Sequence, residues 1–353
     1  MAKVGGGCGW YDIAALEFRP AVNMALAKPP KTLVDSAASP EAKALHNRLV
    51  DLYGTKILSG QQDMDEVEYI KNVTGVEPAV GCFDFIEYSP SRIEHGADPK
   101  GLSERVISWA TKTRGFPPPG QSRQNQSGQS QQAERPIVSL AWHWNAPSHL
   151  YDGKNGREWW RGFYVEGTDF DLAAALADPN SVDFKLLLRD MDIITVELKK
   201  FQTAGVPILW RPLHEAQGAW FWWGARGPEA FKVLWRLMFG RFTKDQGLHN
   251  LIWVYSPPKG GITADDWYPG DDVVDIVGVD IYADATSTHA SAWKALNRLY
   301  GGRKLLALAE SGHPANPEAA RKLGIWWSWF SVWNGEFIHK VPPERLRAVY
   351  ADP

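Results

Sequence analysis

Cysteine is nearly absent from this chain, and its scarcity removes several classes of structure. Only Cys8 and Cys82 occur among 353 residues, so the sequence contains neither a disulfide framework nor a thiolate metal site. The two cysteines can pair once or remain free, and the sequence leaves both possibilities open. With 44% hydrophobic and 22% charged residues, the composition is that of an ordinary globular protein, and the length allows one large domain or two medium ones.

Other features are missing as well, and each absence narrows the range of possible functions. No apolar run approaches the ~18 residues of a transmembrane helix, so we expect no membrane span. The formal net charge of -3, from 38 basic and 41 acidic residues, gives no reason to expect a nucleic-acid partner. The first twenty residues lack the charged start, apolar stretch and cleavage site of a secretory leader. The protein is therefore either cytoplasmic or a mature chain whose leader has been removed.

Tryptophan, by contrast, is abundant. The chain has 18 of them, and a flat indole ring can stack on the apolar face of a sugar as it does on other rings. About half of them are expected simply to pack in the core. The segment WRPLHEAQGAWFWWG, residues 210–224, combines several with the carboxylate of Glu215. A carboxylate among aromatic rings is costly to keep charged, which marks Glu215 as a candidate functional group.

Short apolar runs alternate with amphipathic stretches along most of the chain. Continuous apolar strands alternating with helices indicate parallel strands covered on both faces. Eight such units in roughly 300 residues predict an α/β fold of the (β/α)8 barrel type. A doubly wound nucleotide-binding fold is disfavoured because no GxGxxG follows a first strand. The predicted strands are residues 56–62, 78–85, 135–144, 206–215, 250–257, 274–282, 304–311 and 324–330. The clearest helices are predicted at residues 40–54, 184–205 and 228–247.

One segment interrupts this alternation. Residues 117–134 are rich in Pro, Gln, Ser and Gly and show no apolar period. We expect a disordered or mobile insert there, in the connection between the second helix and the third strand. Such a connection lies on the face of a barrel opposite the active site.

Polar residues collect at the predicted carboxyl ends of the strands, where barrel enzymes carry their active sites. Glu215 ends strand four, and Glu310 follows the apolar run of strand seven, nearly opposite across the barrel mouth. Two carboxylates that flank one bond are the arrangement used in glycoside hydrolysis, in which one must be protonated and the other ionised. Aromatic neighbours, Trp220 and Trp222 among them, favour the neutral form of Glu215. Tyr282, by a hydrogen bond, and the inward-facing Arg211, by its charge, favour an ionised Glu310.

His143 and His214 also suggest a metal site. However, no HxH or HExxH spacing occurs, and the many tryptophans suit a sugar better than a metal ion. We therefore expect neither a metal nor a cofactor.

At this point the sequence resembles glycoside hydrolase family 26, the β-mannanase family. The segment at residues 210–224 is similar to the family's acid/base segment, and FDFIEYSPSRIEHG at residues 83–96 is similar to its segment after strand two. The segments LSGQQ, SLAWHWNAP, VDIYADA and LAESGHP follow in the expected order, and the resemblance extends over about residues 40–335. It implies that Glu215 is the acid/base and Glu310 the nucleophile. It also implies sugar contacts by His143, His214, Trp220, Tyr282 and Trp333, and Trp144, beside His143, is a further substrate-binding candidate.

The resemblance implies a single catalytic (β/α)8 domain over residues 1–353 that hydrolyses internal β-1,4-mannosidic bonds of mannan, glucomannan or galactomannan with retention. It further implies a secreted, monomeric enzyme whose partner is the polysaccharide. Two alternatives stay open: hydrolysis of another β-glycan, such as mixed-linkage glucan or β-1,3-xylan, and a barrel that binds carbohydrate without cleaving it. One departure from the family pattern is Asn334, which stands after Trp333 where the family has an arginine.

Overall fold

The computed structural model describes residues 26–112, 135–155, 157–262 and 265–352. Cys8 and the insert expected at residues 117–134 lie outside these ranges, so the structure does not test them. Within the described residues, Cys82 is a buried free thiol. No helix in these same ranges is long and apolar enough to cross a membrane.

Parallel β-strands form the centre of the molecule. The strands at Ile137–Trp142, Ile208–Pro212 and Leu251–Tyr255 are buried at every residue. Their sequences are continuously apolar because helices cover their outer faces. The strands are β1 (Leu58–Gln62), β2 (Val80–Asp84), β3 (Ile137–Trp142), β4 (Ile208–Pro212), β5 (Leu251–Tyr255), β6 (Ile276–Val277), β7 (Asp280–Ile281), β8 (Leu305–Leu306), β9 (Leu308–Ser311) and β10 (Trp329–Val332).

The pairing of these strands closes a barrel. The hydrogen-bonded order is β7-β9-β10-β1-β2-β3-β4-β5-β6-β8. Strands β6 and β7 are successive pieces of one strand path, and so are β8 and β9. At one end of the order β7 pairs with β9, and at the other end β6 pairs with β8, so both ends join the same two paths. The ten strands therefore form eight paths that close into a ring. Backbone hydrogen bonds continue through the interruptions, from Val279 N to Ala307 O at 3.0 Å and from Ala307 N to Val277 O at 3.1 Å. The predicted (β/α)8 barrel is confirmed.

Helices surround this barrel. Two of them begin at serine caps, where Ser39 accepts a hydrogen bond from Ala42 N and Ser181 accepts one from Phe184 N. The α-helices of the described residues are α1 (Pro40–Leu52), α2 (Met64–Thr74), α3 (Pro90–Glu94), α4 (Leu102–Thr111), α5 (Leu172–Ala177), α6 (Val182–Thr203), α7 (Gly227–Gly240), α8 (Ala290–Tyr300), α9 (Pro317–Leu323), α10 (Glu336–His339) and α11 (Pro343–Tyr350).

Two predicted boundaries need correction. The eighth strand was expected at residues 324–330, but β10 is Trp329–Val332. Gly324 adopts a left-handed conformation (φ 65°) that ends α9, and the next residue still bonds back to Ala320 O, so the first apolar residues of the run belong to a connection. The helix expected at residues 228–247 ends at Gly240 and continues as a π-helical turn, Arg241–Asp245.

Candidate active site

Glu310 lies at the carboxyl end of the barrel, on β9, and it is buried. Its two carboxylate oxygens have different donors. Arg211 Nη2 donates to Oε2 at 2.6 Å, and the Tyr282 hydroxyl donates to Oε1 at 2.5 Å. The hydrogen bond and the ion pair expected from the sequence are thus both present. Each of them stabilises the ionised carboxylate, because a donor and a cation both lower its energy.

Arg211 connects this carboxylate to a second one. Its Nη1 donates to Asp280 Oδ2 at 2.8 Å, and Ser256 Oγ donates to Asp280 Oδ1 at 2.7 Å. The guanidinium is almost completely enclosed, with 3% of its side chain exposed. Burial opposes its charge, but Asp280 and Glu310 more than compensate, so the pKa of Arg211 is raised above its ordinary value. Arg211 is therefore a permanent cation that holds both acids in position.

Glu215 faces the same space in a different environment. Burial, and secondly the charge of Glu310, raise the pKa of Glu215 to about 7. Trp220 Nε1 donates to Glu215 Oε2 at 3.1 Å. Because the charge of Glu310 acts on Glu215, the two carboxyl groups share one site.

The backbone that carries Glu215 is strained. Leu213, Glu215 and Ala219 have φ values of 52°, 56° and 54°, which residues other than glycine rarely adopt. Glu215 N donates to Ser256 O at 2.8 Å, and this bond anchors the turn. A Cβ atom at Gly218 would lie 2.1 Å from the Trp220 ring, so only glycine lets the indole fold back toward Glu215. Strain of this kind persists where the surroundings over-determine the conformation, and it is concentrated at functional sites.

Histidines and aromatic rings line the rest of this space. His143 follows β3 and His214 follows β4, and their Nε2 atoms lie 3.1 Å apart. The ring of Trp333, a partly exposed residue, lies 6.1 Å from that of His143. No three His, Cys, Asp or Glu side chains converge as metal ligands anywhere in the described ranges.

Trp144, expected to bind substrate, and Trp222, expected beside Glu215, are both buried among core residues. Trp144 is 0% exposed, stacks on Trp142 at 4.2 Å, and donates to Asp190 Oδ2 at 2.8 Å. Trp222 does not crowd Glu215 as expected; its indole packs on Trp144 and donates to the backbone oxygen of that residue. Neither ring leaves a face for a sugar, because both rings are enclosed by their neighbours, with Trp144 0% and Trp222 1% exposed.

Sequence reasoning missed Asp84 and Tyr164. Asp84 ends β2 and binds His143. The sequence could have revealed Asp84, because it is a carboxylate at the carboxyl end of an apolar barrel strand, as Glu310 is. Tyr164 stacks on Phe221 at 5.4 Å, and burial raises the pKa of its hydroxyl, with contributions from Glu215 and Glu310. It lies on a long loop whose path the sequence does not predict.

The arrangement can provide an acid and a base on one bond. Glu310, held by Arg211 and Tyr282, can act as a carboxylate, while Glu215 can carry a proton near neutral pH. No cofactor is needed for chemistry of this type, in which one group protonates a leaving oxygen and the other attacks carbon.

Known proteins resemble this chain over most of its length. The chain is 39% identical to a mannan endo-1,4-beta-mannosidase of Thermothelomyces thermophilus over 346 residues, which is 97% of this chain and 66% of that protein. It is 32% identical to mannan endo-1,4-beta-mannosidase A of a Piromyces species over 341 residues, 94% of this chain and 50% of the relative. The chain therefore spans between half and two thirds of the length of these curated relatives.

Solved structures show the same fold. A Podospora anserina GH26-CBM35 beta-(1,4)-mannanase superposes with a TM-score of 0.80 at 40% identity, covering 92% of this chain and 67% of that one. A beta-mannanase from a symbiotic protist of the termite Reticulitermes speratus, solved with a gluco-manno-oligosaccharide, gives a TM-score of 0.75 at 28% identity and covers 92% and 96%. The sequence profile of Glycosyl hydrolase family 26 matches residues 34–118 and 118–353, and this chain belongs to that family.

Proposed function

We propose that this protein is a retaining endo-β-1,4-mannanase in which Glu215 is the acid/base and Glu310 the nucleophile. The observation that carries the proposal is the contrast between the two carboxyl groups: Arg211 and Tyr282 hold Glu310 as a carboxylate, whereas the pKa of Glu215 is about 7. The relatives named above are mannan-degrading enzymes, which supports mannan as the substrate.

The proposed reaction has two steps. Glu310 attacks the anomeric carbon while Glu215 gives its proton to the departing glycosidic oxygen, so that a mannosyl-enzyme ester and a shortened chain form. Glu215, now ionised, takes a proton from water, and that water cleaves the ester with net retention. We infer that His143, His214, Tyr282 and Trp333 surround the sugar that is cleaved, while Trp220 lies on the leaving-group side.

Substrate choice is tested by reducing-sugar release from mannan, glucomannan, lichenan and xylan compared side by side. We expect mannan and glucomannan to be hydrolysed well above lichenan and xylan. Faster cleavage of lichenan would reject the substrate assignment while leaving the retaining mechanism intact. No release from any of the four, with an intact fold, would favour a barrel that only binds carbohydrate.

The pH dependence follows from Glu215. Because burial and Glu310 raise its pKa to about 7, the protonated acid is present below that pH and is lost above it. We expect kcat/KM on mannan oligosaccharides to fall as the pH rises through about 7. Glu215→Ala assayed with an activated aryl mannoside should lack this basic limb in the first step. A wild-type profile that stayed flat to about pH 9 would contradict the assigned role.

Gly218 provides a test of how Trp220 is positioned. The Cβ of an alanine at position 218 would overlap the indole ring of Trp220. The ring would then have to move away from Glu215 and lose its hydrogen bond to that carboxyl group. We expect kcat/KM to fall by roughly 10²-fold, the order associated with small misplacements in an active site. Adding Trp220→Ala should cost little more, because the two changes act through the same contact.

Gly240→Ala is the matched control, since a Cβ there meets nothing within 4 Å. It should leave kcat/KM unchanged. Wild-type activity in Gly218→Ala would show that the observed position of Trp220 does not matter for catalysis.

Location and assembly follow from the same proposal. A polysaccharide substrate lies outside the cell, so we propose that the enzyme is secreted and acts there as a monomer. We also propose that it requires no cofactor, and activity that persists after exhaustive treatment with EDTA would support this.

A further inference from the structure

Asp84, His143 and His214 form a continuous chain across three neighbouring strands of the barrel. Asp84 ends β2, His143 follows β3, and His214 follows β4. Asp84 Oδ2 binds His143 Nδ1, and the backbone N of His143 donates to Asp84 Oδ1 at 3.0 Å. The Nε2 atoms of the two histidines lie 3.1 Å apart. Most of each side chain is enclosed, with 13% of Asp84 and 11% of His143 exposed.

The carboxylate is itself fixed in place. Ile86 N donates to Asp84 Oδ1 at 2.8 Å, so with the two bonds from His143 the carboxylate accepts three hydrogen bonds. Burial alone would raise the pKa of Asp84, but the charge and the hydrogen bonds of His143 outweigh it and lower that pKa. Asp84 is therefore a fixed anion that requires a proton on His143 Nδ1.

The contact between the two Nε2 atoms requires one proton between them. Burial would lower the pKa of His143, but the charge and hydrogen bond of Asp84, with a smaller contribution from Glu310, raise it despite opposition from Arg211. Burial, Arg211 and His143 lower the pKa of His214 well below its ordinary value. The raised pKa of His143 and the lowered pKa of His214 favour a doubly protonated His143 that donates to a neutral His214. The proton of His214 is then on Nδ1, which has no hydrogen-bond partner among the described residues.

We propose that Asp84 is a positioning residue that keeps His143 as an imidazolium cation, and that the charge of this cation acts on Glu215. The second half of this inference rests on the proposed function, because only a hydrolase needs the acid to be tuned. Asp84 itself acts through His143 and does not need to touch the substrate.

The electrostatics of Glu215 connect Asp84, His143 and His214 to catalysis. Burial and Glu310 raise the pKa of Glu215, while Arg211, the hydrogen bond from Trp220 and the charge of His143 lower it. Loss of the His143 charge would therefore raise that pKa further. The tyrosines that face these acids, Tyr164 and Tyr282, have raised pKa values and stay neutral in the working range. The buried acid behind them, Asp280, is paired with Arg211.

The first experiment measures the protonation of the histidines directly in the free protein. We expect ¹⁵N NMR at about pH 7 to show both ring nitrogens of His143 protonated and His214 protonated on Nδ1 alone, with assignments from His143→Gln and His214→Gln. In Asp84→Asn, His143 should become neutral. A neutral His143 in the wild type would overturn the proposal, whatever the protein hydrolyses.

The second experiment measures pH profiles of kcat/KM on mannan oligosaccharides. We expect the basic limb to move upward in Asp84→Asn, because His143 then loses the charge that lowers the pKa of Glu215. His143→Gln should move it by a similar amount, and the double variant should move it no further. His143→Gln also keeps the test valid if Asp84→Asn fails to fold.

Asp275→Asn is the matched control for a buried carboxylate far from the barrel mouth. Asp275 accepts hydrogen bonds from Val34 N and Trp253 N, and its replacement should leave the basic limb in place. An unmoved limb in both Asp84→Asn and His143→Gln, with reduced activity, would show that Asp84 has only a structural role. If the wild type hydrolysed no β-glycan, the proposed function would fail, and the NMR result would still decide the charge of His143.

Discussion

Replacement of Glu310 by alanine is expected to abolish turnover on every substrate, because no glycosyl-enzyme ester can form without it. Glu215→Ala should behave differently. An aryl mannoside with a good leaving group needs little acid, so its first step should survive and give a burst of released phenol. The second step should then be slow, since the same residue must activate the water. Stopped-flow measurement of phenol release separates the two steps.

Azide identifies the two roles from their products. Added azide should accelerate the second step of Glu215→Ala and give the β-mannosyl azide, because it attacks the ester from the face that water uses. With Glu310→Ala any rescue should give the α-anomer, formed by direct attack on the substrate. Exchanged outcomes would reverse the two assignments. A separation of ~6.5–9.5 Å between the carboxyl groups in an experimental structure, in place of the ~5–5.5 Å of a retaining pair, would reject retention.

Arg211→Met is expected to cause the largest loss of stability. The substitution leaves Asp280 and Glu310 buried without their shared cation. Breaking a buried ion pair by removing one partner typically costs about 3–5 kcal/mol. We expect a loss of that order at pH 7.5 in urea unfolding, and activity should fall as well, because Glu310 loses one of its two donors.

The pH dependence of the stability loss in Arg211→Met shows whether the loss comes from charge or from packing. Burial already raises the pKa of Asp280 well above its ordinary value against the charge of Arg211, so this pKa should rise further without Arg211. The charged form of Asp280 then costs more stability at high pH than at low pH, so the deficit of Arg211→Met should shrink at about pH 5. Equal deficits at both values would point to lost packing. The control is Arg236→Met, which breaks an exposed pair with Asp272 and should cost less than about 1 kcal/mol.

Much of this site could be predicted because a parallel barrel directs the carboxyl ends of its strands to one face. Glu215, Glu310 and Arg211 were identified from their positions at or near strand ends, and the structure brings all three together. The hydrogen bond from Tyr282 was expected for the same reason and is present. Their catalytic and binding roles stay predictions until the variants are measured.

Other features depended on contacts between distant segments. Trp144 and His143 are adjacent in sequence, and only packing determines that one is enclosed by Trp142 and Asp190 while the other faces the mouth. Asp84 is 59 residues from His143 along the chain, so nothing local shows that they form a pair.

The sequence by itself predicted the barrel, because the alternation of eight apolar runs with amphipathic helices is a local property and the absence of GxGxxG disfavours the doubly wound alternative. It also placed Glu215 and Glu310 at the mouth, because strand ends are local as well, although Asp84 at the end of β2 was missed. Only the tertiary structure decided the electrostatic environment of each acid. Desolvation and charge act through space over a few ångströms, so the raised pKa of Glu215 and the pairing of Asp84 with His143 exist only once β2, β3, β4 and β9 lie side by side.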